Sequence, residues 1–178
     1  MRHTVVDSVI GPLTLVLDDG GALTGVFMGG HRPAPRPERL GPRVDGEGFE
    51  TVVAQLEEYL DGRRHTFDLV TRASGTPFQQ EVWAALARVP YGATTTYGAL
   101  ARSIGRPSAA RPVGAAVGRN PLSLVVPCHR VIGTDGTLTG YAGGLERKTY
   151  LLALEHRQVP SLAPAAPDSA HPTFTPSR

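Results

Sequence analysis

A chain of 178 residues, 40% of them hydrophobic, is long enough to bury one core or two small ones without disulfide support. Its single cysteine excludes an intramolecular disulfide and any Cys-x-x-Cys metal site, and a formal charge of +2 is too mild to announce a polyanion binder. The charge is uneven, however: residues 1–75 carry 8 Lys/Arg against 11 Asp/Glu, a balance of −3, and residues 76–178 carry 10 against 5, a balance of +5, so a polyanion would be drawn to the second half.

The first residues are broken by Asp7, Gly11 and Pro12 before any signal-peptide core of adequate length, and no apolar run is long enough to span a bilayer. The expectation is a soluble, cytoplasmic protein in a reducing compartment, with no membrane partner. Residues 3–9, 13–18 and 22–28 are short β-prone runs separated by Gly11-Pro12 and Asp19-Gly20-Gly21, which predicts a small antiparallel meander. Residues 29–48 are rich in Pro, Gly and Arg and read as a loop. From Phe49 to Leu60 the apolar positions Val52, Val53, Leu56 and Leu60 recur at helical spacing, and Gly62 ends the run. A strand at 65–70 is expected to close the sheet, with Thr71 to Gly75 as the linker.

Thr76-Pro77-Phe78-Gln79 reads as a helix start, with a threonine cap, proline at the first helical position and glutamine placed to complete a capping box. That helix places Phe78, Val82, Trp83 and Leu86 on one face and ends at Pro90-Tyr91-Gly92. A short helix from Tyr97 to Ser103, closed by Gly105, and a second from Ala109 to about Gly118, opened by Pro107-Ser108, resemble a helix-turn-helix. The apolar run 122–126 leads into Pro127-Cys128-His129-Arg130, residues 133–144 are turn-rich, and an amphipathic helix runs from about Leu145 to His156. Residues 159–178 hold five prolines and little to pack, so a disordered tail is expected.

A thiol attacks as the thiolate, and a neighbouring base or positive charge lowers the cost of forming it. His129 and Arg130 supply both next to Cys128, although adjacent side chains on an extended segment point apart and would need a turn or a water to meet. The local residues leave open that Cys128 is merely a small buried hydrophobe. Glu155 likewise reads either as an exposed residue at a fraying helix end or as a buried carboxylate that accepts an imidazole proton and orients His129.

The segments PCHRVIG at 127–133, TGYAGGLERK at 139–148, FQQEVWAAL at 78–86, PYGATTTYGALA at 90–101, AARPVGAAVGRNP at 109–121 and LLALE at 151–155 together resemble the O6-alkylguanine-DNA alkyltransferase family. The resemblance covers residues 76–156, whereas the first 70 match only in general layout. It implies an N-terminal α/β domain at 1–72 with a small antiparallel sheet of ribonuclease H-like type. It also implies a mainly helical C-terminal domain at 76–158 that contains the helix-turn-helix.

The implied activity is direct-reversal DNA repair, in which Cys128 irreversibly accepts the alkyl group of O6-alkylguanine, and by extension of O4-alkylthymine, once per chain and without a cofactor. The resemblance further implies that His129 deprotonates the thiol through a water, Glu155 orients His129, Asn120 braces the turn and Tyr97 donates to the guanine edge near N3. Backbone groups of Cys128 and Val131 would read the exocyclic amine, Tyr141 would wall the alkyl pocket, Ala142 would offer its amide and Lys148 would line the pocket edge. A nucleotide must leave the base stack to be reached, and Arg111 would fill its place. Ala110, Gly114, Ala115, Ala116 and Gly118 would let the helix approach the minor groove, with Arg119 and Arg130 on phosphates.

The implied partner is double-stranded DNA carrying O6-alkylguanine, bound by a monomer that can assemble cooperatively on the duplex and that associates with the nucleoid during repair. Two departures from the family pattern stand out. Pro112 follows Arg111 where alanine is more usual, and with Ser108 as the cap it would sit beyond the tolerant first turn, unless the helix starts a residue later. Ala142 occupies a position where some members have serine. His3 and His31 come without a second cysteine, so no metal site is expected. Two alternatives remain: a non-catalytic binder that marks alkylated DNA, which Cys128 argues against, and a cysteine hydrolase, for which no acyl pocket is apparent.

Overall fold

Turn chemistry organises the first seventy residues. In the computed structural model, which describes residues 1–158, strands β1 (Arg2–Val6), β2 (Leu13–Leu17) and β3 (Leu23–Met28) form an antiparallel sheet in sequence order. The β2–β3 turn is tied by Asp18, whose carboxylate accepts from the amides of Gly20 and Ala22 at 3.0 and 2.9 Å. Leu13, Leu15 and Leu17 point into the core, and each such burial stabilises by about 1.5–3 kcal/mol. Helix α1 (Glu50–Leu60) lies over them with Val52, Leu56, Tyr59 and Leu60 buried.

The strand expected at 65–70 does not form. The backbone of Asp68 is satisfied instead by the side chain of Gln55, which donates to its carbonyl at 2.9 Å and accepts from its amide at 2.8 Å. The chain touches the sheet only beyond that point, where Thr71 makes a single parallel bridge to Leu23.

The reciprocal Thr76/Gln79 capping box opens α2 (Pro77–Ala87), as the sequence predicts. Thr96 caps α3 (Tyr97–Ser103), and α3 ends in a Schellman motif: Gly105, at φ +71°, donates to Arg102 while Arg106 donates to Ala101. Helix α4 (Ala110–Val117) completes the helix-turn-helix. It begins one residue later than Ser108 would dictate, because Ala109 is the N-cap and no side chain caps the helix. Pro112 is therefore the third helical residue, where the missing N–H has no intrahelical partner to lose. Trp83 of α2 locks this arrangement, donating Nε1–H to the Ala116 carbonyl at 2.8 Å.

Two short strands, β4 (Thr95–Thr96) and β5 (Val131–Ile132), pair in parallel, and α5 (Leu145–Gln158) closes the described chain. The sequence reading missed the β4–β5 pair. The tail expected at 159–178 lies outside the described residues. One continuous apolar core runs from Ile10 to Leu151 and includes residues of both halves. The halves are also joined through backbone: Val26 on the edge of β3 donates to Pro121 at 2.8 Å and accepts from Ser123 at 3.3 Å. Arg147 of α5 adds bonds to the carbonyls of Ile10, Gly29 and Gly143. The sheet edge thus holds the segment that leads to the cysteine.

Candidate active site

The run 122–126 is not extended. Asn120, itself buried, donates its amide to the Val126 carbonyl at 2.8 Å and accepts from the Leu122 amide at 3.0 Å, folding the run into a turn. Leu124 is held at φ 72°, a left-handed conformation that costs a leucine about 1 kcal/mol and persists only where its surroundings impose it. The turn delivers Pro127 into a 3-10 turn at Cys128–Arg130, so consecutive side chains diverge around one helical turn. Cys128 is buried, and burial pushes its thiol pKa up, partly offset by the neighbouring Asn120 and Ser123 side chains and by the nearby Lys148 charge. The resting group is a thiol that needs a base.

His129 is fully buried, and its Nε2 lies 2.9 Å from Glu155 Oε1. Burial lowers the imidazole pKa against the opposing pull of Glu155, so the ring is neutral at rest and able to take a proton. Its Nδ1 is buried and has no protein partner among the described residues, and no hydrogen bond joins it to the Cys128 sulfur. Glu155, also fully buried, is no fraying surface residue. Burial alone would raise its pKa, but hydrogen bonds from His129, Arg130 and Tyr59 hold it well below the usual carboxylate range.

Arg130 grips both Glu155 oxygens through Nε at 3.1 and 2.9 Å and through a terminal nitrogen at 2.8 Å, and it also donates to the Val89 carbonyl. Gly92 donates its amide to Oε2 at 3.0 Å. The expectation that Arg130 meets phosphates is therefore corrected, because the guanidinium is buried and engaged in keeping Glu155 ionised.

Tyr59 is the residue that sequence reasoning overlooked. It arrives from α1 in the other half of the molecule, donates its hydroxyl to Glu155 Oε1 at 2.6 Å and lies 3.2 Å from His129 Nε2. Its only sequence signal is its place seven residues after Val52, on the buried face of α1. Ser123, whose side chain also favours the Cys128 thiolate, was likewise hidden in the apolar run.

Near the cysteine, Val131 and Lys148 are buried, the Lys148 ammonium donating to the carbonyls of Val131 and Thr139, both at 2.6 Å. Burial lowers the Lys148 pKa. Lys148 is fully buried and ties two backbone carbonyls, rather than lining an open edge. Tyr141 sits edge-on to His129 at 6.5 Å between ring centres, its hydroxyl is buried without a protein partner among the described residues, and burial raises its pKa. The Ala142 carbonyl accepts from Arg32, tying this loop to the first half. Tyr97, half-buried at the start of α3, has its hydroxyl 3.3 Å from Thr139 Oγ1. A Cβ at Gly114 would stand 3.5 Å from the Tyr97 ring, in ordinary contact, so the two helices meet closely there.

On α4 the exposed face carries Arg111, Pro112 and Ala115, followed by Gly118 and Arg119, while Ala110 and Gly114 are half-buried. Ala116 does not belong to that face, because it is buried under Trp83. Arg111 thus sits at the second position of an exposed, small-residue helix face. Among the described residues no group of three or more His, Cys, Asp or Glu is arranged to hold a metal, and no helix is long and apolar enough to cross a membrane.

Comparison with known proteins gives a consistent match. Residues 77–157 match the family described as the DNA-binding domain of 6-O-methylguanine DNA methyltransferase, and residues 1–73 match its ribonuclease-like domain. A methylated-DNA–protein-cysteine methyltransferase of Mycobacterium tuberculosis is 45% identical over 161 residues, 90% of this chain and 96% of that protein. Its namesake from Methanosarcina acetivorans is 45% identical over 156 residues, 87% and 98% of the two chains. The crystal structure of Mycobacterium tuberculosis OGT in complex with DNA aligns with a TM-score of 0.81 at 43% identity, covering 90% of this chain and 96% of that one.

Proposed function

The chain belongs to the O6-alkylguanine-DNA alkyltransferase family, and from that premise we propose that Cys128 is its alkyl acceptor, served by His129 as base and Glu155 as the group that orients it. The protein repairs DNA by direct reversal, moving the alkyl group of O6-alkylguanine onto a cysteine, and each chain reacts once. The observation that carries the assignment is the buried His129–Glu155 pair, with an unpartnered Nδ1, one residue from the only cysteine of the chain.

The thiol proton passes to His129 Nδ1 through a water. The thiolate then attacks the alkyl carbon in line with the C–O bond, so that an S–C bond forms, the C–O bond breaks and its electron pair goes to O6. The restored guanine, still in its strand, takes up at N1 a proton that balances the one the thiol gave to His129, and the net products are guanine and a thioether. Charge developing on the leaving base needs donors, and the half-buried Tyr97 at the start of α3 supports the reading that its hydroxyl supplies one near N3. Lys148, by fixing the Val131 carbonyl, supports a role for that segment in reading the exocyclic amine. A thioether is inert to hydrolysis even beside a base and a water, in keeping with a single turnover.

The lesion must leave the stack before Cys128 can reach it. We assign the exposed α4 face to the minor groove, with Arg111 filling the gap and Arg119 on a phosphate. The partner is double-stranded DNA carrying O6-alkylguanine, bound by a monomer, with cooperative assembly on longer duplexes. The boundary between the two domains falls at residues 73–75. The reading is tested with duplex carrying a tritium-labelled O6-methyl group: label should saturate at one per chain, vanish in Cys128→Ala and slow severely in His129→Gln. Labelled Cys128→Ala protein would refute the assignment.

A further inference from the structure

The carboxylate that orients His129 is held from both halves of the molecule, and the first half contributes one side chain, Tyr59. Its ring is fixed by Phe67, 5.1 Å away, and by Tyr91, edge-on at 6.0 Å, and it is completely buried. A phenol has one proton to give. The contact to Glu155 Oε1, at 2.6 Å, faces an ionised carboxylate that can only accept, so the phenolic proton lies there. The contact to His129 Nε2, at 3.2 Å, then meets the phenol's lone pair, and the second contact of Nε2 is the same carboxylate at 2.9 Å. Both partners of Nε2 are acceptors. The ring must therefore carry its proton on Nε2, which leaves Nδ1 as the basic nitrogen.

We propose that Tyr59 is a positioning residue for alkyl transfer, by which the N-terminal domain completes the acid–base machinery of the C-terminal one. This inference rests on the reading of Cys128, His129 and Glu155 given above. Tyr59 acts in two ways. It supplies a second acceptor to Nε2 that a protonated Nδ1 tautomer would lose. It also draws negative charge from Glu155, which keeps His129 from holding its proton too tightly. Apart from Tyr59, the imidazole faces Glu155, Arg130, Lys148, Tyr141 and Cys128, of which only Glu155 favours the protonated ring at rest. Losing the phenol removes a neutral acceptor at 3.2 Å, which disfavours the imidazolium, and frees the nearer, charged Glu155 oxygen at 2.9 Å of a donor, which favours it; the charged contact is the stronger and sets the sign. The imidazolium becomes easier to form, and the neutral base persists only at higher pH.

The test is Tyr59→Phe in the full chain, which keeps the ring and removes the hydroxyl. Single-turnover transfer from O6-methylguanine duplex is followed against pH, together with 15N spectra of the histidine rings, with His129 assigned by its loss in His129→Gln. In the unmodified chain His129 is expected to show a protonated Nε2 and a bare Nδ1. In Tyr59→Phe the plateau rate should fall severalfold, and the acid limb should move up by roughly half a pH unit to one, the scale of one hydrogen bond. A folded Tyr59→Phe whose profile superimposes on that of the unmodified chain overturns the proposal, as does a proton on His129 Nδ1.

Should Tyr59→Phe fail to fold, the unmodified chain decides. A slowly exchanging Tyr59 hydroxyl proton with cross-relaxation to the His129 Nε2 proton supports the proposal, and its absence overturns it. Label transfer to Cys128 with an unmoved profile defeats this inference alone, whereas absence of label on Cys128 defeats the assignment beneath it.

Discussion

The turn at 120–130 and the face of α4 are neighbours in sequence and opposites in construction. Around Cys128 nearly every functional group is buried and hydrogen-bonded: Asn120, His129, Arg130, Lys148, Glu155 and Tyr59 are each less than a tenth exposed. On α4, Arg111 and Ala115 are exposed, as is Arg119 just after it, and the helix lacks even a side-chain cap. On the proposed assignment the contrast separates two jobs. A base must be oriented before substrate arrives, so its partners are supplied by the protein. A surface that grips DNA must have unspent donors and close backbone approach, so its partners are left to the ligand. Substitutions in the first region should therefore cost both stability and transfer, and those in the second should cost transfer alone.

The largest effect is expected for Glu155→Gln, which leaves Arg130 buried without its counter-charge. Breaking a buried pair costs about 3–5 kcal/mol, on the order of 10 °C in Tm for a protein of this size, and thermal unfolding should show it together with loss of transfer. Asn120→Ala should follow at about 2–4 kcal/mol, since the Val126 carbonyl and the Leu122 amide both lose their partner, and the strained Leu124 turn would relax. Arg111→Ala breaks the pattern in the opposite sense. Its stability should stay within about 0.5 kcal/mol of the parent, while transfer from duplex falls by on the order of tenfold or more, and transfer from a free O6-alkylguanine base is unchanged. An Arg111→Ala protein that unfolds early would contradict the division between the two regions.

A smaller effect concerns pH. Burial raises the Cys128 pKa above its unfolded value, so the stability it contributes is complete below the unfolded thiol pKa of about 8.5 and is lost as pH rises toward the folded value. The alkylated protein has no thiol to titrate, so this alkaline decline should flatten after reaction when urea unfolding is compared at neutral and alkaline pH. Smallest of all, Ser108→Ala should leave stability unchanged, because Ala109 and not Ser108 is the N-cap of α4.

What was legible in the sequence was local. The Thr76/Gln79 box, the Gly105 stop and the β-meander follow from residues within a few positions of one another, and each formed as expected. The pairing of Glu155 with His129 was also within reach, because a carboxylate on an apolar stripe requires a partner. The failures share a cause in distance along the chain. Arg130 looks like a phosphate ligand until Glu155, 25 residues on, claims it, and Tyr59 meets Glu155 across 96 residues. A strand at 65–70 was expected to close the sheet, but a single glutamine on α1 offered the backbone of Asp68 two hydrogen bonds instead. The run 122–126 has the composition of a strand and is bent by Asn120, whose side chain serves the backbone on both sides of it.

Intact mass before and after incubation with excess duplex carrying one O6-methylguanine, followed by peptide mapping, tests the central claim most directly. A single addition of about 14 Da, confined to the peptide bearing Cys128, saturating at one per chain and absent with unmodified duplex, is the predicted result. Tight binding of the lesion with no mass change, or an addition mapped to any other peptide, would contradict it.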